Sequence, residues 1–185
     1  MLSQAVQDYL KTIFHLQKEG PVSTTDLANE LNLSSASVTG MLKRLDQLAL
    51  VNYNSYKGVT LSDLGNKTAI GIIRNHRLLE TYFKNVLGYS LDKIHDEACM
   101  LEHYISEHLC NKIDEILKHP KYDPHGHPIP TKNGVIEDTS NDIPMCDITP
   151  GQNVVIRRLE DHNPELLAYL EQIELLPNVK VDVLE

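Results

Sequence analysis

Residues 95–108, HDEACMLEHYISEH, concentrate imidazole, thiol and carboxylate side chains in one run with no Gly or Pro to interrupt a helix. At roughly 100° per residue, His95, Cys99, Glu102 and His103 fall within an arc of about 100° on one face, so the four could close on a single ion. Neutral imidazole, thiolate and carboxylate are the donors that divalent first-row metals take. A solvated amphipathic face scatters His and Glu in the same way, so the run alone does not decide. Upstream, His76 and Glu80 stand four apart and share a helix face. Downstream, Asp123, His125 and His127 lie in a Pro-rich stretch as further possible ligands. A zinc hydrolase is a poor fit, because no HExxH is present and these ligands leave no obvious general base.

Such a cluster needs a scaffold. With 185 residues and 41% hydrophobic content, the chain can bury a core and make one large domain or two to three small ones. Its net charge of −9 is unevenly spread: residues 1–77 hold eight Lys/Arg and six Asp/Glu, whereas residues 78–185 hold nine against twenty. The N-terminal part is therefore the one suited to meet phosphate, and the acidic part is suited to metal, since eight of the nine histidines lie at or after position 76. The first 20 residues are charged, and no stretch approaches 18 apolar residues, so neither a secretion signal nor a membrane span is expected. Three irregularly spaced cysteines, Cys99, Cys110 and Cys146, suit a reducing, cytoplasmic setting.

The apolar spacing of Val6, Tyr9, Leu10, Ile13 and Phe14 predicts a helix over residues 4–19, ended by Gly20-Pro21. Ser23 with Asp26 three residues on is a capping-box signal for a second helix to Leu31. After the turn NLS, Val38, Met41, Leu42, Leu45 and Leu48 line the inner face of a third. Two helices joined by so short a turn suggest a helix-turn-helix, and LVNYNSYKGVTL predicts a hairpin after it. The order is that of a winged helix. Ser34, Ser35, Ala36, Ser37, Thr39, Gly40, Lys43 and Arg44 then stand where a recognition helix would meet DNA. Helices follow from residue 62 to Gly88 and from Leu91 to Leu117, with Ser106 marking a break. Residues 120–147 hold five of nine prolines and predict a connecting region. The last forty residues suggest strand, short helix, strand, too little for a closed barrel.

In this order, DYLKTIFHLQKEG, SSASVTGMLKRL, YKGVTLSDLG, NHRLLETYF, HDEACMLEHYISEHL and HPKYDPHGHPIP resemble the metal-dependent repressors related to the diphtheria toxin repressor and the manganese transport regulator. The resemblance covers nearly the whole chain. It implies a mainly α fold with a winged helix-turn-helix over 1–62, a helical metal-binding and dimerisation domain over 63–140, and a short, incomplete SH3-like module over 141–185. It implies a homodimeric, Mn2+- or Fe2+-activated repressor of palindromic operators of metal-uptake genes, with two metal sites per subunit. One site would fall on Asp8, Cys99, Glu102 and His103, and the other on His76, Glu80 and His95. The SH3-like module would add Asp161, with Asn163 beside it, and the DPHG loop would add His125 and Asp123. Asp8 is similar to the manganese regulators, where iron regulators have Met; Cys99 is similar to the iron regulators, where one manganese subgroup has Glu. That subgroup also carries an acid where this chain has Lys11. Two carboxylates against one thiol favour manganese, with iron(II) as the alternative. A winged-helix interaction module with a purely structural metal is the competing class.

Overall fold

The computed structural model describes residues 2–17, 20–139, 141–160 and 163–184. The chain divides into two compact units, residues 1–73 and 74–185.

The first unit contains α1 (Gln4–Leu16), α2 (Thr24–Glu30), α3 (Ser35–Gln47), β1 (Val51–Asn54), β2 (Gly58–Leu61) and the start of α4 (Asp63–Asn85). The capping box forms as the sequence predicts, with the Ser23 hydroxyl accepting from Asp26 N–H at 3.0 Å. Ser34 does the same for α3, accepting from Ser37 N–H at 3.2 Å. Leu10, Ile13, Leu27, Val38, Leu42 and Leu45 are wholly buried in one core. Each such aliphatic side chain contributes about 1.5–3 kcal/mol by leaving water. The hairpin β1–β2 is antiparallel, pairing Val51 with Leu61 and Asn54 with Gly58. Its root is tied to the segment before α2 by Val22 and Val59, which exchange both backbone hydrogen bonds at 2.9 Å. Gly58 has φ +92°, and a Cβ there would lie 2.4 Å from the Val22 carbonyl oxygen, so this close approach admits only glycine.

The second unit holds the rest of α4, then α5 (Leu91–Leu101), α6 (Glu107–Ile116), β3 (Asn153–Val155), α7 (Pro164–Gln172) and β4 (Lys180–Asp182). The break flagged at Ser106 is real: α5 stops at Leu101, residues 102–104 turn, and Ser106 caps α6 by accepting from Leu109 N–H at 3.2 Å. No Gly or Pro is needed, because the extended backbone of Ser106 redirects the chain and its hydroxyl opens a new helix. The stretch expected to be a connecting region is more ordered than its prolines suggest. Around residues 121–129 the chain folds into a tight loop, with Ile129 N–H on Lys121 O at 2.8 Å and Asp123 N–H on His127 O at 3.0 Å. β3 and β4 pair antiparallel as a two-stranded ribbon.

The C-terminal segment packs on the helices of its unit. Leu159 and Leu167 join Leu78, Leu91, Ile94 and Ile113 in one core. Glu171 of α7 accepts from Leu91 N–H at 2.8 Å, satisfying an open amide of the first turn of α5, and pairs with Lys84 of α4. Asn163, named beside Asp161 as a further ligand, caps α7 through Leu166 N–H at 3.0 Å. Asp161 itself lies outside the described residues. Among those residues, no helix is long and apolar enough to cross a membrane.

Candidate metal centre

Helix periodicity on α4 and α5 brings the donors of the second unit together. His76 and Glu80 sit one turn apart on α4, and His95 and Cys99 one turn apart on α5. The Glu80 side chain, 1% exposed, is the focus of the group. Its Oε1 lies 3.0 Å from His76 Nε2, 3.4 Å from His95 Nδ1 and 3.5 Å from His125 Nδ1. The other nitrogen of His76 reaches Glu102 Oε2 at 2.6 Å, and Glu102 Oε1 lies 3.3 Å from His103 Nε2. Cys99 Sγ is 3.5 Å from His95 Nε2 and 4.0 Å from His76 Nδ1. The helix face groups Cys99 with His95, Glu102 and His103, and the resemblance puts it with Asp8, Glu102 and His103. In the structure its sulfur lies beside His76 and His95, with one donor atom of each of the three within 4.8 Å of the others.

The protonation states follow from this packing. Burial works against a charge on His76, but the Glu80 carboxylate, with hydrogen bonds to Cys99, Glu102 and Glu80, holds its pKa well above the ordinary value. Burial likewise works against the Glu80 charge, and His76, His125 and His95 override it, keeping the carboxyl well below the usual range. His95 is pushed up to about 10 by Cys99 and then Glu80, against its own burial. Buried carboxylates and imidazoles thus converge with protons supplying the balancing charge. A divalent cation can take the place of those protons, and the nitrogen, oxygen and sulfur donors fit one.

The loop donors also come together, with one donor atom each of Asp123, His125 and His127 within 4.8 Å of the others. His125 is wholly buried and faces Glu80. Asp123 is occupied in holding the loop: its Oδ1 accepts from the N–H groups of both His125 and His127 at 2.9 Å. Its Oδ2 lies 3.5 Å from His127 Nδ1 and 3.6 Å from Arg77 Nε. Arg74 and Arg77, which the sequence did not single out, donate to Pro130 O at 2.6 Å and Pro128 O at 2.5 Å. Their one available signal was their spacing of three on the helix that carries His76 and Glu80.

In the first unit, Asp8 is half-buried on α1. The residues expected to meet DNA form the solvent face of α3 and its cap: Ser34, Ser35, Ala36, Ser37, Gly40, Lys43 and Arg44 are exposed and Thr39 is half-buried. Two of the hydroxyls also serve the helix itself, Ser34 as its cap and Thr39 by donating to Ser35 O at 2.8 Å. A Cβ on Gly40 would meet nothing within 4 Å, so no internal contact requires a glycine there.

Comparison with known proteins decides the lineage. Residues 1–59 match the iron dependent repressor N-terminal DNA binding domain, residues 62–131 the iron dependent repressor metal binding and dimerisation domain, and residues 143–185 the FeoA domain. A manganese-dependent transcriptional repressor solved in complex with manganese is 36% identical, with TM-score 0.86 over 97% of this chain and 83% of that one. The chain belongs to the iron-dependent repressor family. Other members include the manganese regulator SloR, 32% identical with TM-score 0.74 over 95% of this chain and 81% of that one. The iron-dependent repressor IdeR of Mycobacterium tuberculosis (strain ATCC 25618 / H37Rv) is 28% identical over 98% of this chain and 84% of its own length. Relatives named for iron and for manganese thus both align with nearly all of this family member.

Proposed function

We propose that this protein is a cytoplasmic, homodimeric repressor, activated by Mn2+ with Fe2+ as the alternative, that binds palindromic operators of metal-uptake genes. The observation that carries the proposal is the convergence of His76, His95 and His125 on the buried Glu80 carboxylate in a chain that also presents an exposed Lys/Arg-bearing helix, α3. The proposed domains are a DNA-binding domain over 1–62, a metal-binding dimerisation domain over 63–140 and a partial SH3-like module over 141–185.

Two sites per subunit are proposed. His76, Glu80, His95 and His125 would hold the first, with Asp161 from the C-terminal module and Asp123 as the loop's anchor. Asp8, Cys99, Glu102 and His103 would hold the second. Asp8 is the only donor of that set from the DNA-binding unit, so closing it on Glu102 and His103 would favour one arrangement of the two units. A bound cation supplies the positive charge that lets carboxylates from separate elements meet at one point. The set shifts the population by no more than its difference in affinity between the arrangements.

A second copy would cover the α5–α6 face, where Met100, Tyr104, Leu109 and Ile116 are each more than half exposed. Two α3 helices could then enter successive major grooves. Exposed Lys43 and Arg44 would neutralise phosphates, and Gly40 would let a phosphate or base edge come close to the backbone.

The test is binding to promoter fragments of metal-uptake genes, titrated anaerobically with Mn(II), Fe(II) and Zn(II) and repeated with chelator. Binding should require metal and fall steeply with salt, because phosphate contacts release counterions. Equal affinity in chelator and in saturating manganese would remove the repressor. A purely structural metal would instead show itself by unfolding on chelation.

A further inference from the structure

Among the described residues facing Glu80, His125 comes from a loop rather than a helix, and a loop must be held in place before it can offer a nitrogen. We propose that Arg77 is the positioning residue for His125, acting through Asp123 and the 121–130 loop; the inference rests on His125 being a donor at the Glu80 site. α4 displays His76 and Glu80 on one face, and Arg74 and Arg77, three apart, on the neighbouring one. The guanidinium of Arg77 donates to Pro128 O at 2.5 Å and stands 3.6 Å from Asp123 Oδ2, while Arg74 donates to Pro130 O at 2.6 Å. Asp123, with no exposed side-chain surface, passes the hold inward by accepting from the His125 and His127 amides at 2.9 Å.

The other side of the loop is closed by the C-terminal segment. Leu159 N–H donates to His125 O at 2.8 Å, and a Cβ on Gly126 would lie 2.0 Å from Arg157 O. His125 is therefore gripped between α4 and the segment that follows β3. The helix that supplies two donors also fixes the distance to a third.

Supporting hydrogen bonds of this kind are worth about 10–100-fold in metal affinity when removed. The experiment titrates Mn(II) into the full chain by calorimetry for wild type, Arg77→Met, His125→Ala and the double variant. It also measures amide hydrogen exchange at His125 and His127 in the metal-free proteins. Arg77→Met should weaken the site that His125→Ala weakens, by about tenfold, and speed exchange at both amides. In the His125→Ala background it should change Mn(II) affinity no further, since a positioning residue has nothing left to position. If Arg77→Met lowers the metal-free melting point too far for titration, Arg77→Lys is judged by the same criteria, because a single ammonium cannot reproduce the planar fork. An equal loss with and without His125, or unchanged exchange, overturns the inference while leaving the metal site intact. Unchanged affinity in His125→Ala overturns both it and the assignment of His125 as donor.

Discussion

Replacing Glu80 by Gln keeps the volume of the side chain and removes the charge on which three imidazoles converge. The carboxylate is 1% exposed, with imidazole nitrogens at 3.0, 3.4 and 3.5 Å. Removing one partner from such a buried ionic group costs about 3–5 kcal/mol, because the remaining charge is stranded. For a chain of this size that is a fall in melting temperature of about 6–20 °C. The sign of the pH dependence follows from the shifts. His76 is held well above 6.5 and His95 is raised to about 10. Their contribution is fully present below the unfolded value near 6.5 and is lost as pH rises through the folded values. Glu80, whose pKa is lowered, contributes above its unfolded value near 4.5 and loses that contribution as pH falls through the folded one. The deficit of Glu80→Gln should therefore be greatest near pH 6 and shrink toward pH 10. Urea unfolding of the metal-free chain at pH 6, 8 and 10 measures it. A deficit under about 1 kcal/mol at pH 6, or one that grows with pH, would refute the charge-balanced cluster, since a buried pair must show its full cost while the imidazoles are charged.

Leu167→Ala removes a 1% exposed side chain from the core shared by α7 and α5. It should cost about 2–5 kcal/mol and lower a single unfolding transition in calorimetry; a separate transition for the C-terminal segment would show that it folds alone. Arg44→Ala should weaken binding to all DNA sequences alike and reduce the salt slope by about 1, whereas Ser34→Ala should alter operator preference in competition assays and also cost about 0.5–2 kcal/mol through the lost cap of α3. Asp8→Met should keep its fold and move the ratio of activating concentrations from manganese toward iron in anaerobic operator titrations, because a thioether replaces a hard oxygen. No movement of that ratio would remove Asp8 from the ligand set.

The helix-turn-helix and hairpin were legible because local rules specify them. Val38, Leu42 and Leu45 mark the buried side of α3 by spacing alone, and the Ser23–Asp26 box announces α2 in four residues. His76 with Glu80, and His95 with Cys99, were legible for the same reason, since four residues make one turn. Of the first helix, expected over 4–19, the structure describes Gln4–Leu16 as helix with Gln17 as its cap, and Lys18 and Glu19 lie outside the described residues. What periodicity could not convey were contacts between distant side chains and backbone. Arg77 on Pro128 O spans 51 residues and Glu171 on Leu91 N–H spans 80, and neither leaves a pattern in the segment it joins. The nearness of Cys99 to His76 was not legible for a related reason. A helical wheel places it near both His95 and Glu102, and only the approach of α4 brings His76 to its sulfur.

The mixed donor set bears on which ion can switch the protein, as distinct from which binds tightest. Manganese and iron(II) stand low in the divalent affinity order and zinc stands above them, so donor strength alone cannot select them. Selection has to come from the number and placement of donors. Zinc is satisfied by four ligands at tetrahedral angles, and Glu80 with His76, His95 and His125 already offers four donors within the second unit. An ion that prefers six ligands must recruit oxygen donors from farther away. In the proposed sets these are Glu102, Asp161 and Asp8, and only Asp8 belongs to the DNA-binding unit. Coordination number would then be the property that is sensed, because an ion content with four donors can bind without drawing Asp8 in, and an ion that needs more cannot.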